Sequence, residues 1–270
     1  MMTLKKIYLG IVLFFMYAPI ILLVVFSFNA SHARNVWGGF TLDWYISLLQ
    51  DRSIMRALSN TLLVAVLSTI LSVIIGTLAA VSVDKLSKRM RAAIMSVSKL
   101  PVMMPDIVTG LTLMILFLFV FRTVGFGRLG LGTLLLAHII FNVPYVILSV
   151  LPKLRRLDPN LYEAALDLGS GPFRAFVQVV LPELWPGIIT GAMLAFTLSV
   201  DDFMVSFFTT SPGVQNLSIL IFSMTRRGID PRINALSALI MFVIMVMLFL
   251  INKRDKNLIR RQQEEKNRSD

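Results

Sequence analysis

Four ionisable side chains stand inside long apolar runs of this 270-residue chain: Asp106, His138, Asp201 and Asp202. A carboxylate in a bilayer costs at least ~2.5 kcal/mol even on a lenient insertion scale, so it needs a partner or a wet cavity. No Lys or Arg lies deep in an apolar run to neutralise one, and Lys99 is near a boundary where it can snorkel. The unpaired charge is therefore acidic. A passage lined by carboxylates draws in cations and repels anions.

Neighbouring residues on a helix point in different directions, so Asp201 and Asp202 cannot both face one lumen squarely. On a continuous helix Ser199, Asp202 and Ser206 share a face, and Asp201 pairs with Thr197. Measured from Trp185, Asp201 comes ~24 Å along such a helix, near its outer end. The pair could sit in headgroup water at that boundary, yet apolar residues continue on both sides, which favours a place on the pathway. Asp106 follows Pro105 in LPVMMPDIVTG. A proline break at membrane depth is tolerated where it lines a cavity. Asp106 would equally cap the helix that restarts there, and the two roles are compatible. His138 reads as a hydrogen-bonded packing residue on an apolar helix. Trp44 could offer a cation–π surface at the external mouth, although anchoring at the interface is the commoner role for such a residue.

These residues need helices to hold them. The chain is 56% hydrophobic and 15% charged, with mean hydropathy +0.78. A soluble domain of this size carries far more charge. The apolar residues form continuous runs without period-two alternation, so the fold class is an all-α polytopic membrane protein. Six spans are drawn: 7–28, 61–83, 94–121, 131–151, 185–208 and 233–251. Each is long enough for a hydrocarbon core of ~30 Å at about 1.5 Å per residue. The first run, about 22 residues, exceeds the about 7–15 of a signal peptide core, so it reads as a retained span.

The net charge of +11 would suggest nucleic acid in a soluble protein, but here the basic residues flank apolar spans and set orientation. The N-terminus, the loop 84–93 with Lys99, the loop 152–184 and the tail 252–270 hold 18 of the 26 basic residues. That bias places both termini and the 152–184 loop in the cytosol. On the other side, spacing of Leu42, Tyr45, Leu48, Leu49 and Met55 predicts a helix over 42–58 lying along the outer surface, with Trp37, Trp44 and Tyr45 as an aromatic belt. The polar tail reads as loosely ordered. With no cysteine, disulfides and thiol chemistry are excluded. Two histidines, far apart in the chain, argue against a histidine metal site.

The cytosolic loop 158–184 contains EAALDLGSGPFRAFVQVVLP, from Glu163 to Pro182. It has a helix-forming start, a glycine break at Gly169 and Gly171, a short amphipathic piece and a proline stop. An interfacial amphipathic helix has no need of glycine and Leu-Pro at fixed offsets. The order Glu163-Ala164-Ala165, Gly169, Val179, Leu181-Pro182 resembles the EAA motif of importer-type ABC permeases. Val179 stands where that family usually has Ile. The resemblance implies that Glu163, Ala164, Ala165 and Gly169 form a coupling helix that fits a cleft on a cytosolic ATPase.

The segment AFTLSVDDFMVSFFTTSPGVQNLSILIFSM (195–224), WGGFTLDWY (37–45), Asn60-Thr61 and MMPDIVTG (103–110) narrow this further. They are similar to the second permease subunit of spermidine/putrescine ABC importers. The resemblance implies a polyamine route involving Asp106, Ser199, Asp201, Asp202 and Trp44. It also implies a second related permease, a homodimeric cytosolic ATPase, an extracytoplasmic polyamine-binding protein, and a place in a bacterial inner membrane. This chain would form half the pathway. It has no GxxxxGK[ST] loop, so no cofactor is expected on it, and ATP and Mg belong to the ATPase. A permease for another solute, such as iron or thiamine, is the alternative cargo. An intramembrane hydrolase is disfavoured because adjacent helical aspartates do not converge into a dyad.

Overall fold

The computed structural model describes residues 2–31, 36–158, 160–227, 230–243 and 245–246. Apart from an isolated antiparallel bridge between Asn29 and Phe40, the regular structure among them is helical, as the apolar runs require. The longer helices are α1 (Met2–Phe26), α3 (Arg52–Asp84), α4 (Lys88–Met103), α5 (Asp106–Val124), α6 (Leu131–Leu154) and α9 (Leu181–Asp201). Shorter ones are α2 (Asp43–Gln50), α7 (Asn160–Asp167), α8 (Pro172–Ala175), α10 (Met204–Thr209), α11 (Leu217–Arg227) and α12 (Arg232–Val243). Among the described residues, five stretches are long and apolar enough to cross a membrane: Lys6–Phe26, Arg52–Asp84, Asp106–Val124, Leu131–Leu154 and Pro172–Asp201. Of the sixth expected span, 233–251, the described part is helical; its far end and the tail 252–270 lie outside the described residues.

Several boundaries differ from the sequence reading, each for a local reason. The run 94–121 is two helices. Pro105 forces Met104 into extended backbone (φ −84°, ψ 147°), so α4 stops and the apolar span begins at Asp106. The surface helix expected over 42–58 is the eight-residue α2, because Asp51 turns extended and α3 starts at once. The fifth span begins earlier than Trp185 and ends earlier than Phe208. Pro182 does not stop the chain: a π turn at Phe176–Val180 precedes it, with the Leu181 N–H donating to the Phe176 carbonyl five residues back. The wider turn absorbs a ring that would clash with the preceding carbonyl. The helix instead ends at Asp201, where Asp202 is extended (ψ 127°).

The chain divides into two compact units, residues 1–55 with 221–270, and residues 56–220. In the first, Asn29 organises the loop after α1. Its amide donates to the Val36 carbonyl (2.8 Å), and its Oδ1 accepts from the Gly38 and Ser31 N–H groups. Arg232 bridges Asp230 and Asp51.

The second unit is built on close approach of backbones. Gly187, Gly191 and Ala195 recur every fourth residue on α9, and a Cβ on Gly187 would come within 3.0 Å of the Ser149 carbonyl oxygen. A Cβ on Gly191 would stand 3.2 Å from Val146 Cα. Gly76 of α3 also abuts Val146. Lipid gives apolar helices no hydrophobic reason to associate, so small residues that permit tight packing supply the attraction. Around them lie buried Ala80, Val146, Ile147, Val150, Leu151, Leu184 and Ile188. A separate cluster joins Leu113 and Phe117 of α5, Ala137 and Phe141 of α6, and Val205 of α10.

Candidate functional site

The break between α9 and α10 separates the two aspartates. Asp201 ends α9 and is exposed, with no hydrogen bond or ion pair from its side chain among the described residues. Asp202 is buried. Its Oδ1 accepts from the Val205 N–H (3.1 Å), and its Oδ2 accepts from the Ser206 N–H (2.7 Å) and Ser206 hydroxyl (2.8 Å). The carboxylate therefore caps α10, where unpaired N–H groups and the helix dipole favour an anion. The hydroxyl of Ser206 spends its one proton on Asp202, so it accepts from the Asn216 amide (2.7 Å) and from His138 Nε2 (3.0 Å). That assigns the His138 proton to Nε2, which also stands 3.6 Å from Asp202 Oδ2. His138 is the packing residue expected from its apolar surroundings.

Ser199 does not join this cluster. The interruption at Asp202 removes the continuous face that would align Ser199, Asp202 and Ser206; Asp202 and Ser206 meet through the cap alone. Ser199 is buried and accepts from Asn142 Nδ2 (2.7 Å), and it lies 3.0 Å from the Ser68 hydroxyl. This polar knot ties α3, α6 and α9 together. Asn142 and Ser68 were not singled out from sequence, although a signal existed. Asn142 is an amide in the middle of an apolar helix, and Ser68, Ser72, Gly76 and Ala80 form a small-residue stripe at four-residue spacing on α3.

Asp106 is exposed at the first position of α5. One turn on, Gly110 lies so close to α10 that a Cβ would meet the Met204 carbonyl oxygen at 2.9 Å. This contact brings the start of α5 to the start of α10, and Asp106 and Asp202 are electrostatic neighbours. Among the described residues no Lys or Arg forms a salt bridge with Asp106, Asp201 or Asp202. Trp44 belongs to the other unit. Its indole N–H donates to the Asn29 carbonyl (2.8 Å), which fixes α2 against the loop after α1. That contact suits the anchoring role.

The segment that holds α7 and α8 has a defined shape. α7 ends in a paired C-terminal lock: the Ser170 N–H donates to the Ala165 carbonyl and the Gly169 N–H to the Leu166 carbonyl. This requires a left-handed residue between them, and Gly169 has φ +85°. Glu163 and Ala164 are exposed, while Ala165 is buried. Leu168 (88% exposed) and Phe173 (81%) project from the turn, an unusual placement for large apolar side chains. The Lys85 ammonium stands 5.4 Å from the Tyr162 ring centre, tying α7 to the end of α3. Arg91 and Arg155 both reach Asp84 at 3.6 Å. The turn thus carries an apolar crown.

Residues 72–261 match the family described as binding-protein-dependent transport system inner membrane component. The chain is 37% identical to the putrescine transport system permease protein PotI of Escherichia coli (strain K12) over 87% of its own length and 85% of that protein. It is 35% identical to the spermidine/putrescine transport system permease protein PotC of the same strain over 90% of each chain. In fold it resembles a bacterial ABC transporter involved in import of the acidic polysaccharide alginate (TM-score 0.70, 19% identity, covering 94% of this chain and 95% of that one). A similar likeness (TM-score 0.69, 19% identity, 93% of each chain) holds for the alginate transporter in complex with alginate pentasaccharide-bound periplasmic protein. These likenesses agree with a transport subunit rather than an enzyme, and the chain belongs to the family of inner membrane components of binding-protein-dependent transport systems, as a multi-pass membrane protein.

Proposed function

We infer that this chain is a permease subunit of an ATP-driven polyamine importer, forming half of the route for spermidine or putrescine. The observation that carries this reading is the state of the carboxylates. Asp106 and Asp201 are exposed and without cationic partners among the described residues, at the ends of apolar helices. Such groups suit a flexible organic cation and repel an anion. The names of the 37% and 35% identical relatives support the same cargo. Asp202 and Ser199 flank the route as parts of the polar ties that hold the helix ends in place, and Trp44 is assigned to the same pathway on the likeness of WGGFTLDWY to polyamine permeases.

In this reading Glu163, Ala164, Ala165 and Gly169 couple to a homodimeric cytosolic ATPase, with Leu168 and Phe173 as the apolar contact. ATP and Mg reside on that ATPase, and this chain holds no cofactor. A second related permease completes the pathway, and an extracytoplasmic polyamine-binding protein delivers the cargo. Both termini face the cytosol, as the distribution of basic residues favours. Alternating access would follow ATP-driven closure of the ATPases transmitted through α7.

The test is uptake of labelled putrescine and spermidine into vesicles containing the full complex, with and without internal ATP. ATP-dependent uptake that competing iron or thiamine leaves intact supports the reading. Uptake of one of those solutes in place of polyamine overturns it.

A further inference from the structure

The carboxylates supply charge, but they do not distinguish an alkylammonium from an inorganic cation; an aromatic face beside them would. Tyr145 of α6 occupies that position. α5 and α6 are consecutive spans joined by the short loop 125–130, so they run antiparallel, and Leu113 and Phe117 of α5 pack with Phe141 and Ala137 of α6. Continuing along the two helices away from that loop, α5 offers Gly110 and then Asp106 on the face that carries Leu113 and Phe117. α6 offers Tyr145 one turn beyond Phe141. Tyr145 rests against the same apolar cluster, with its ring centre 5.5 Å from that of Phe141. It keeps part of its surface open, and the Asp106 carboxylate is its electrostatic neighbour. Among the described residues, the cation–π pairs are Lys85 with Tyr162 and Arg226 with Phe222. Neither of these pairs involves the Tyr145 ring.

We propose that Tyr145 and Asp106 together form an alkylammonium station, in which the carboxylate takes the charge and the ring takes the ammonium edge with its adjoining methylenes. A cation–π contact of this kind works best for a weakly hydrated organic cation in a desolvated site. Hydrated inorganic cations gain less from it, so the ring adds selection for amines to the attraction provided by Asp106. The proposal rests on the polyamine reading and adds a residue that sequence patterning did not indicate. Tyr145 directly follows Pro144 in a strongly apolar span, where an aromatic residue passes for ordinary packing.

The experiment is the KM for ATP-dependent putrescine uptake by the reconstituted complex, measured across a series at position 145. Tyr145→Phe keeps the ring and stays within about twofold of wild type, whereas Tyr145→Leu raises KM about fivefold or more. Because Leu could disturb packing, phenylalanines carrying one, two and three ring fluorines are placed at the same position. They keep the shape while weakening the ring quadrupole, and KM should climb stepwise with fluorination. A KM that stays flat across the fluorinated series, or one that rises as much for Phe as for Leu, overturns the proposal. If the wild-type complex takes up no polyamine, the parent reading fails first; if it does and the series is flat, only the role of Tyr145 falls.

Discussion

Asp202 and Asp201 are neighbours in sequence, yet replacing them should have opposite consequences. In Asp202→Ala the first turn of α10 loses its cap, and the Ser206 hydroxyl loses a buried ionised acceptor. Removal of an N-cap costs about 0.5–2 kcal/mol. A hydrogen bond to a charged group adds about 1.5–3 kcal/mol. Together they give about 2–5 kcal/mol, with His138 and Asn216 left holding a serine that has nowhere to donate. For a unit of this size, about 1 kcal/mol moves the melting temperature by about 2–4 °C, so a fall of about 4–20 °C is expected. Asp202→Asn should lose much less, about 1.5 kcal/mol or under, because asparagine caps as well as aspartate. Asp201→Asn touches an exposed side chain and should stay within about 0.5 kcal/mol. The assay is thermal unfolding of the detergent-solubilised complex at one fixed scan rate, since such unfolding is often irreversible. In uptake the order reverses: Asp201→Asn loses transport with normal stability, while Asp202→Asn keeps transport in proportion to assembled complex. An Asp202→Ala protein as stable as wild type would refute the reasoning, as would an Asp201→Asn protein destabilised like Asp202→Ala.

Two further outcomes follow from the backbone. At Gly169 nothing crowds a side chain, so the cost of Gly169→Val is the left-handed backbone itself, about 1–2 kcal/mol, and ATP hydrolysis should become uncoupled from uptake; Gly169→Asn, which tolerates that conformation, should restore much of the coupling, and equal coupling in both variants would count against the docking role. Gly191→Leu would drive a side chain into Val146 on α6, and the expected result is loss of assembled complex on size-exclusion chromatography, whereas Thr190→Leu, exposed one residue away, should assemble normally.

The class of fold was legible because length and continuity of apolar runs suffice for membrane helices. The loop motif was legible because Gly169 answers a backbone requirement that few other residues meet. The ends of helices were harder. Pro105 and Pro182 look alike in sequence, yet one ends a helix and the other is carried by a π turn that only the surrounding packing selects. Asp202 was readable as a charge in an apolar run, but not as a cap. The helical projection assumed an unbroken α9, and the break is made by that same carboxylate bonding forward to Val205 and Ser206. Asn142 and Tyr145 escaped notice because each acquires its meaning from a residue on another helix.

The most direct test of the central claim is ATP-driven polyamine uptake by the Asp106→Asn, Asp201→Asn double variant, assembled with its partners and compared with wild type at equal complex and equal stability. Loss of most spermidine and putrescine uptake, with ATP hydrolysis still responding to the polyamine-binding protein, is the predicted result. Wild-type uptake in the double variant would contradict the account, because the positively charged cargo would then be crossing without the two free carboxylates.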